Sequence, residues 1–196
     1  MNTNTITRRF SMYRFLFISF ALSSTLLFAQ PLSQEQAVQK GSAAAAALLQ
    51  KLGGELKGQM QSGGPMAALR FCSQNALFLT DEVAKESNTT IKRVSLKHRN
   101  PVNAATNDEK ALLEKWETLH HSGKSLPTYE IQQHTNGGYT YFKPILINNE
   151  ACLKCHGDIG ADSPLFKAIK AIYPEDQATG YGMGDLRGMI VITLPK

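Results

Sequence analysis

Residues 128–147 read TYEIQQHTNGGYTYFKPILI. Two runs rich in aromatic and β-branched residues, Thr128 to Gln133 and Tyr139 to Ile147, flank Asn136-Gly137. Asn-Gly tolerates the positive φ angles of a tight turn, so the stretch predicts a β-hairpin. Working outward, Arg187 to Leu194 predicts a closing strand, and Thr89 to Leu96 predicts an earlier one because β-branched side chains fit a pleated surface. Pro101 holds Asn100 out of helical geometry, so Arg99 to Asn103 reads as a loop. Asn107-Asp108-Glu109 opens a helix that carries Leu112, Leu113, Trp116 and Leu119 and stops at Gly123. Ser163-Pro164 supplies the cap and first position of a short helix through Ile172. Helices, then a hairpin and a closing strand with helical insertions, make an α+β fold around an antiparallel sheet.

The N-terminal half is helical by pattern. Ser33-Gln34-Glu35-Gln36 resembles a capping box, and the alanine- and leucine-rich run that follows is expected to stop after Leu52, at Gly53-Gly54. Gly63-Gly64-Pro65 separates it from a second helix, on which Leu69, Cys72, Ala76, Leu79 and Val83 recur at spacings of three and four. That stripe points Cys72 inward. The alanine-rich helix can cover the chain's own sheet or serve as a homodimer surface.

Arg8, Arg9 and Arg14 precede an uncharged apolar run from Phe15 to Phe28, and Ala29 offers a small residue for cleavage. Residues 1–29 therefore read as a signal peptide, the run being short of the roughly 20 residues that span a bilayer. The mature chain, residues 30–196, is expected in the periplasm as a single domain with no stable membrane insertion. Removing the leader's three arginines from 21 Lys and Arg leaves 18 against 16 acids, too even a balance for a nucleic-acid partner.

Cys152-Leu153-Lys154-Cys155-His156 is the chemical centre of the sequence. On a helical turn, two intervening residues set the thiols at the separation of the two vinyl groups of haem, and the next residue reaches the iron. The motif predicts one covalently bound haem c, attached through Cys152 and Cys155, with His156 as proximal iron ligand. With three cysteines and five histidines it arises by chance in roughly one such sequence in a thousand. The competing readings are a tetrahedral zinc site of Cys152, Cys155, His156 and Cys72, which would make the chain a zinc-stabilised structural domain, and a metal-free redox disulfide.

The residues leave the distal iron ligand open. Cys72, an unpaired thiol in an exported chain, is either that ligand or a buried small hydrophobe. Met183 in the glycine-rich run Gly180–Gly184 and the remaining histidines are alternatives. His120 and His121 suit the end of a helix dipole, and His134 sits beside the hairpin turn.

Six segments carry a family resemblance. They are Phe71-Cys72-Ser73, RVSLKHRNPVN (93–103), YFKPI (141–145), CLKCHG (152–157), YPEDQATGY (173–181) and GDLRG (184–188). In this order they resemble a family of bacterial periplasmic c-type haem domains, formerly of unknown function and also found as sensor modules of signalling proteins. The resemblance covers nearly all of the mature chain and implies a PAS-like fold with N-terminal helices, the haem held between His156 and a Cys72 thiolate. His98 departs from the family pattern and introduces a competing imidazole. Arg70, Arg93 and Arg99 are candidates to pair with haem propionates, each against the ordinary alternative of a solvated side chain.

A thiolate-ligated, six-coordinate iron has no open site, and no separate acid/base constellation accompanies it, so no enzyme is expected. The expected function is a redox or gas-responsive sensor module that signals to a periplasmic partner. The alternative is a periplasmic electron-transfer cytochrome, with a redox protein as its partner.

Overall fold

The computed structural model describes Met1 and residues 31–196; the expected signal peptide, Met1 aside, falls outside the described residues. The capping box forms: Gln36 N–H donates to Ser33 Oγ at 3.2 Å, and Ser33 N–H donates back to Gln36 Oε1 at 2.9 Å. From there α1 runs Gln34–Glu86, interrupted at Gly63 and Gly64. Gly64 has φ of +65°, which a side chain would resist, and Pro65 restarts the helix without the N–H that a first turn does not need.

The break brings residues 65–86 back beside residues 34–62. Lys51 reaches Glu82 at 3.1 Å and Glu86 at 3.4 Å, and Val83 and Ala84 share a core with Ala44 and Leu48. The expected stop at Gly53-Gly54 does not occur. Each glycine costs a helix about 1 kcal/mol relative to alanine, and the buried stripe before them together with helix formers such as Glu55, Leu56 and Lys57 carries the helix through.

Four strands form one antiparallel sheet in the order β1-β4-β3-β2, with β1 at Thr90–Val94, β2 at Glu130–Gln133, β3 at Tyr139–Leu146 and β4 at Leu186–Leu194. The Asn136-Gly137 hairpin joins β2 to β3, with Gly137 at φ +87°. The closing strand is therefore interior, between β1 and β3, and its continuous run Met189 to Ile192 is buried on both faces.

One face packs on α1. Tyr141, Ile190 and Ile192 meet Ala37, Ala44, Ala45 and Leu48 there. The alanine stripe is thus spent on the chain's own sheet. The other face packs Phe142, Met189 and Val191 against Leu113 and Trp116 of α2, Asn107–His121. Two further helices, α3 at Glu150–His156 and α4 at Pro164–Ile172, lie between β3 and β4 in the chain and touch α1. Among the described residues no helix is long and apolar enough to cross a membrane.

β1 ends one or two residues sooner than its composition suggests. Ser95 Oγ accepts from Lys97 N–H at 3.2 Å and donates to Arg187 O at 2.8 Å, which turns the chain away from the ladder. At Gly188, φ +156°, a Cβ would collide with the Val94 carbonyl, so only glycine lets β4 begin this close to β1.

The same substitution is expected to act oppositely at two sites on α1. At Gly54 an added Cβ meets nothing within 4 Å, so Gly54→Ala should raise unfolding free energy by about 0.5–1 kcal/mol. At Gly41 the Cβ would stand 2.5 Å from Cγ of the buried Tyr141, so Gly41→Ala should lower it by about 1–3 kcal/mol despite the propensity gain. Urea denaturation followed by circular dichroism checks both signs.

Candidate functional site

The cysteine motif forms a helix because its start is capped and its end is pinned. Asn149 Oδ1 accepts from Ala151 N–H at 2.8 Å at the head of α3, and Gly157 N–H donates to Leu153 O at 2.9 Å at its end. Three residues apart on this one helix, Cys152 and Cys155 project from neighbouring positions. Both are half-buried free thiols. The segment is tied to the sheet through Ile147, whose N–H donates to Asp185 O at 2.9 Å and whose carbonyl accepts from Gly184 N–H at 2.7 Å.

The end of α3 rests on a buried ion pair. Arg99 Nε donates to Asp176 Oδ1 at 3.0 Å, the carboxylate being wholly buried and the guanidinium only 13% exposed. Arg99 Nη2 donates to the carbonyls of Cys155 at 2.6 Å and Ala178 at 3.2 Å. Asp176 Oδ1 accepts in addition from Ala178 N–H at 3.0 Å. One arginine thereby joins the loop after β1, the end of α3 and the segment after α4.

His156 is oriented by that same segment. Its Nδ1 lies 2.8 Å from Ala178 O, and because a carbonyl only accepts, Nδ1 carries the hydrogen. Desolvation of the ring, with the positive charges of Arg187 and Arg99, pushes the His156 pKa down to about 3, and the bond to Ala178 opposes this only in part. The ring is therefore neutral, with Nε2 unprotonated, which is the form and orientation a metal ligand requires. Tyr181 packs edge-on against the ring at 6.4 Å between centroids, and its N–H donates to His156 O at 2.9 Å.

Cys72, on α1, is half-buried and lies within electrostatic reach of Arg93 and Arg99. Burial raises its thiol pKa, while the nearby charges of Arg93 and Arg99 pull it down. Burial likewise raises the Cys155 thiol, with Arg99 opposing and Cys72 and Cys152 adding to the rise. Burial also raises Tyr173, and the charge of Cys72 adds to it. These mutual effects put Cys72, Cys155 and Tyr173 in one neighbourhood with Arg93 and Arg99.

The alternatives named from the sequence lie elsewhere or serve other contacts. His120 and His121 occupy the last turn of α2, and His134 Nε2 is 2.7 Å from Thr140 Oγ1. Met183 is 53% exposed and lines an outer cleft with Leu153 and Lys154. His98 approaches the site through its backbone, its carbonyl accepting from Gln177 N–H at 3.0 Å. The zinc arrangement is not formed: among the described residues no three His, Cys, Asp or Glu side chains converge to hold a metal ion.

Of the three arginines singled out as propionate partners, Arg99 is committed to Asp176 and Arg70 is exposed, while Arg93 is desolvated beside Cys72. Asp176, Ala178 and Arg187 were not identified as site residues from the sequence. Asp176 and Arg187 stand within resembling segments, but that one would bury against Arg99 and the other beside His156 is a property of the fold.

Removing the carboxylate leaves Arg99 desolvated without its counter-charge, so Asp176→Ala should lower unfolding free energy by about 3–5 kcal/mol. Asp176→Asn, which can still accept from Ala178 N–H, should cost less. Urea denaturation of the two variants beside wild type gives the order.

Comparison with known proteins follows the same outline. A family model described as Tll0287-like: Tll0287 matches residues 26–195. The crystal structure of the cyanobacterial heme-protein Tll0287 is 28% identical and aligns with a TM-score of 0.63, covering 84% of this chain and 97% of that one. No curated protein matches the sequence significantly.

Proposed function

The chain belongs to the Tll0287-like family, and we propose that it is an exported c-type haem protein, carrying one covalent haem and acting as a redox or gas-responsive sensor module of PAS-like fold. The single observation that carries the proposal is an oriented, neutral His156 at the end of the helix that bears two free thiols, with a third free thiol, the half-buried Cys72, in the neighbourhood of Cys155. The fit of the residues to haem is chemical. Two free thiols one helical turn apart suit two vinyl groups, each S–H adding across one double bond with no change in redox state overall. A haem so attached would supply one-electron chemistry and, with an open face, affinity for diatomic gases.

The chain's own residues do the rest. Ala178 O fixes the imidazole of His156 through Nδ1, and Arg99 holds Ala178 and Cys155 in one frame, so the proximal side is rigid. Cys72 stands on a different element, α1, whose second arm hangs from the break at Gly63-Gly64. A ligand on a separate element can leave without dismantling the proximal side. In the sensor reading, His156 and Cys72 would hold the haem, which would supply one-electron and gas-binding chemistry, and Cys72 would be the residue able to take up a proton and withdraw once a periplasmic donor had supplied an electron. The rigidity of the proximal frame favours a second reading, an electron-transfer cytochrome that keeps both ligands and passes its electron to a redox partner.

Absorption spectra of the haem-loaded protein, ferric and dithionite-reduced, beside Cys72→Ala, test this. The sensor reading expects a ferric spectrum that changes on loss of Cys72, and a reduced wild type that binds carbon monoxide. Reduced protein that keeps its ligation and binds neither gas contradicts sensing and supports electron transfer. A ferric spectrum indifferent to Cys72→Ala contradicts the thiolate ligand.

A further inference from the structure

Arg187 is a half-buried cation with no ion-pair partner among the described residues. Its Nη1 donates to Ser95 Oγ at 2.8 Å and to Lys97 O at 3.2 Å, whereas its Nε is buried with no partner. Among the described residues no carboxylate pairs with it, since Asp176 is already taken by Arg99 and Ala178 N–H. The nearest compensation is the ring of Tyr181, 5.3 Å from the guanidinium carbon, and Lys97 Nζ competes for that same ring at 4.5 Å. An aromatic face shared by two cations does not neutralise either.

A desolvated guanidinium with an unmet N–H is costly unless something anionic joins it. Position narrows the choice. Arg187 and His156 pack against the same ring, that of Tyr181, with the guanidinium carbon 5.3 Å and the imidazole centroid 6.4 Å from its centroid. The missing anion therefore belongs on the His156 side of the site. The edge open to a carboxylate is Nη2, which makes no hydrogen bond and is not sealed from solvent as Nε is, and a planar guanidinium meets a carboxylate there with a short, charge-assisted hydrogen bond.

We infer that Arg187 is the residue that receives a haem propionate, the bond from Ser95 and the Tyr181 face holding its guanidinium in place. This rests on the haem reading above. It assigns the propionate contact to a residue at the start of β4 and takes it from Arg70 and Arg99, which are exposed and already paired respectively.

The test compares two ligands that differ only in the carboxylates: ferric haem and its dimethyl ester. Both are titrated into the full chain carrying Cys152→Ala and Cys155→Ala, so that neither becomes covalently attached. The parent should bind the free acid about tenfold or more tighter than the diester, the size expected of a charge-assisted bond. Arg187→Gln should remove most of that preference and leave affinity for the diester within about twofold. Equal weakening toward both ligands would mean that Arg187 only braces the fold, and a preference unchanged in Arg187→Gln would assign the carboxylate elsewhere; either overturns the inference. If Arg187→Gln does not fold, Arg187→Lys decides. A lysine keeps the charge without the planar fork, so the preference should shrink, and one as large as the parent's overturns the assignment. Failure of the haem reading is a distinct outcome, read from wild type matured in a periplasm: no haem added there refutes that reading, whereas a parent that binds both ligands equally overturns only the Arg187 assignment.

Discussion

The site hangs on the buried pair of Arg99 and Asp176. Neither group could be left there alone, since each is desolvated and each lends its remaining hydrogen-bonding capacity to backbone: Arg99 to the carbonyls of Cys155 and Ala178, Asp176 to Ala178 N–H. Through Ala178 the pair sets the hydrogen bond that orients His156. A charge pair of this kind contributes little net stability over an apolar substitute, but it is specific about geometry. Here that geometry joins three segments far apart in sequence: the loop after β1, the end of α3 and the chain leading to β4.

The sheet and α1 supply the frame. Because β4 lies between β1 and β3, the segment that precedes it is delivered next to the end of β1, which brings Arg187 to Ser95 and Tyr181 to His156. Because α1 folds back at Gly63-Gly64, Cys72 returns on the second arm to the neighbourhood of Cys155. The two sides of the site thus come from elements with different attachments. One is tied into the ion-pair network, the other is carried by a helix packed on the sheet.

Much of this was legible in the sequence because the signals were local. The turn at Asn136-Gly137, the caps at Ser33 and Ser163, the break at Gly63-Gly64-Pro65 and the helix through Trp116 all depend on residues within one or two turns of each other. Leu69, Ala76 and Val83 of the helical stripe are buried as their spacing predicts, and Cys72 between them is half-buried. Gly53-Gly54 misled, because a glycine pair signals a helix end only when nothing else pays its cost, and here a buried alanine stripe does. What could not be read was the tertiary electrostatics. Nothing near Asp176 in sequence says that Arg99 will cover it, and nothing near Arg187 says that it will lie half-buried beside His156 without an acid.

The central claim is that Cys152 and Cys155 carry a haem covalently. It is tested most directly by the intact mass of the denatured chain, purified from a periplasm equipped for c-type haem attachment. The account predicts a chain lacking residues 1–29 and heavier by one haem, with the added mass absent when both cysteines are replaced by alanine. A denatured wild-type chain with no added mass, produced where a control c-type cytochrome is fully matured, would contradict it.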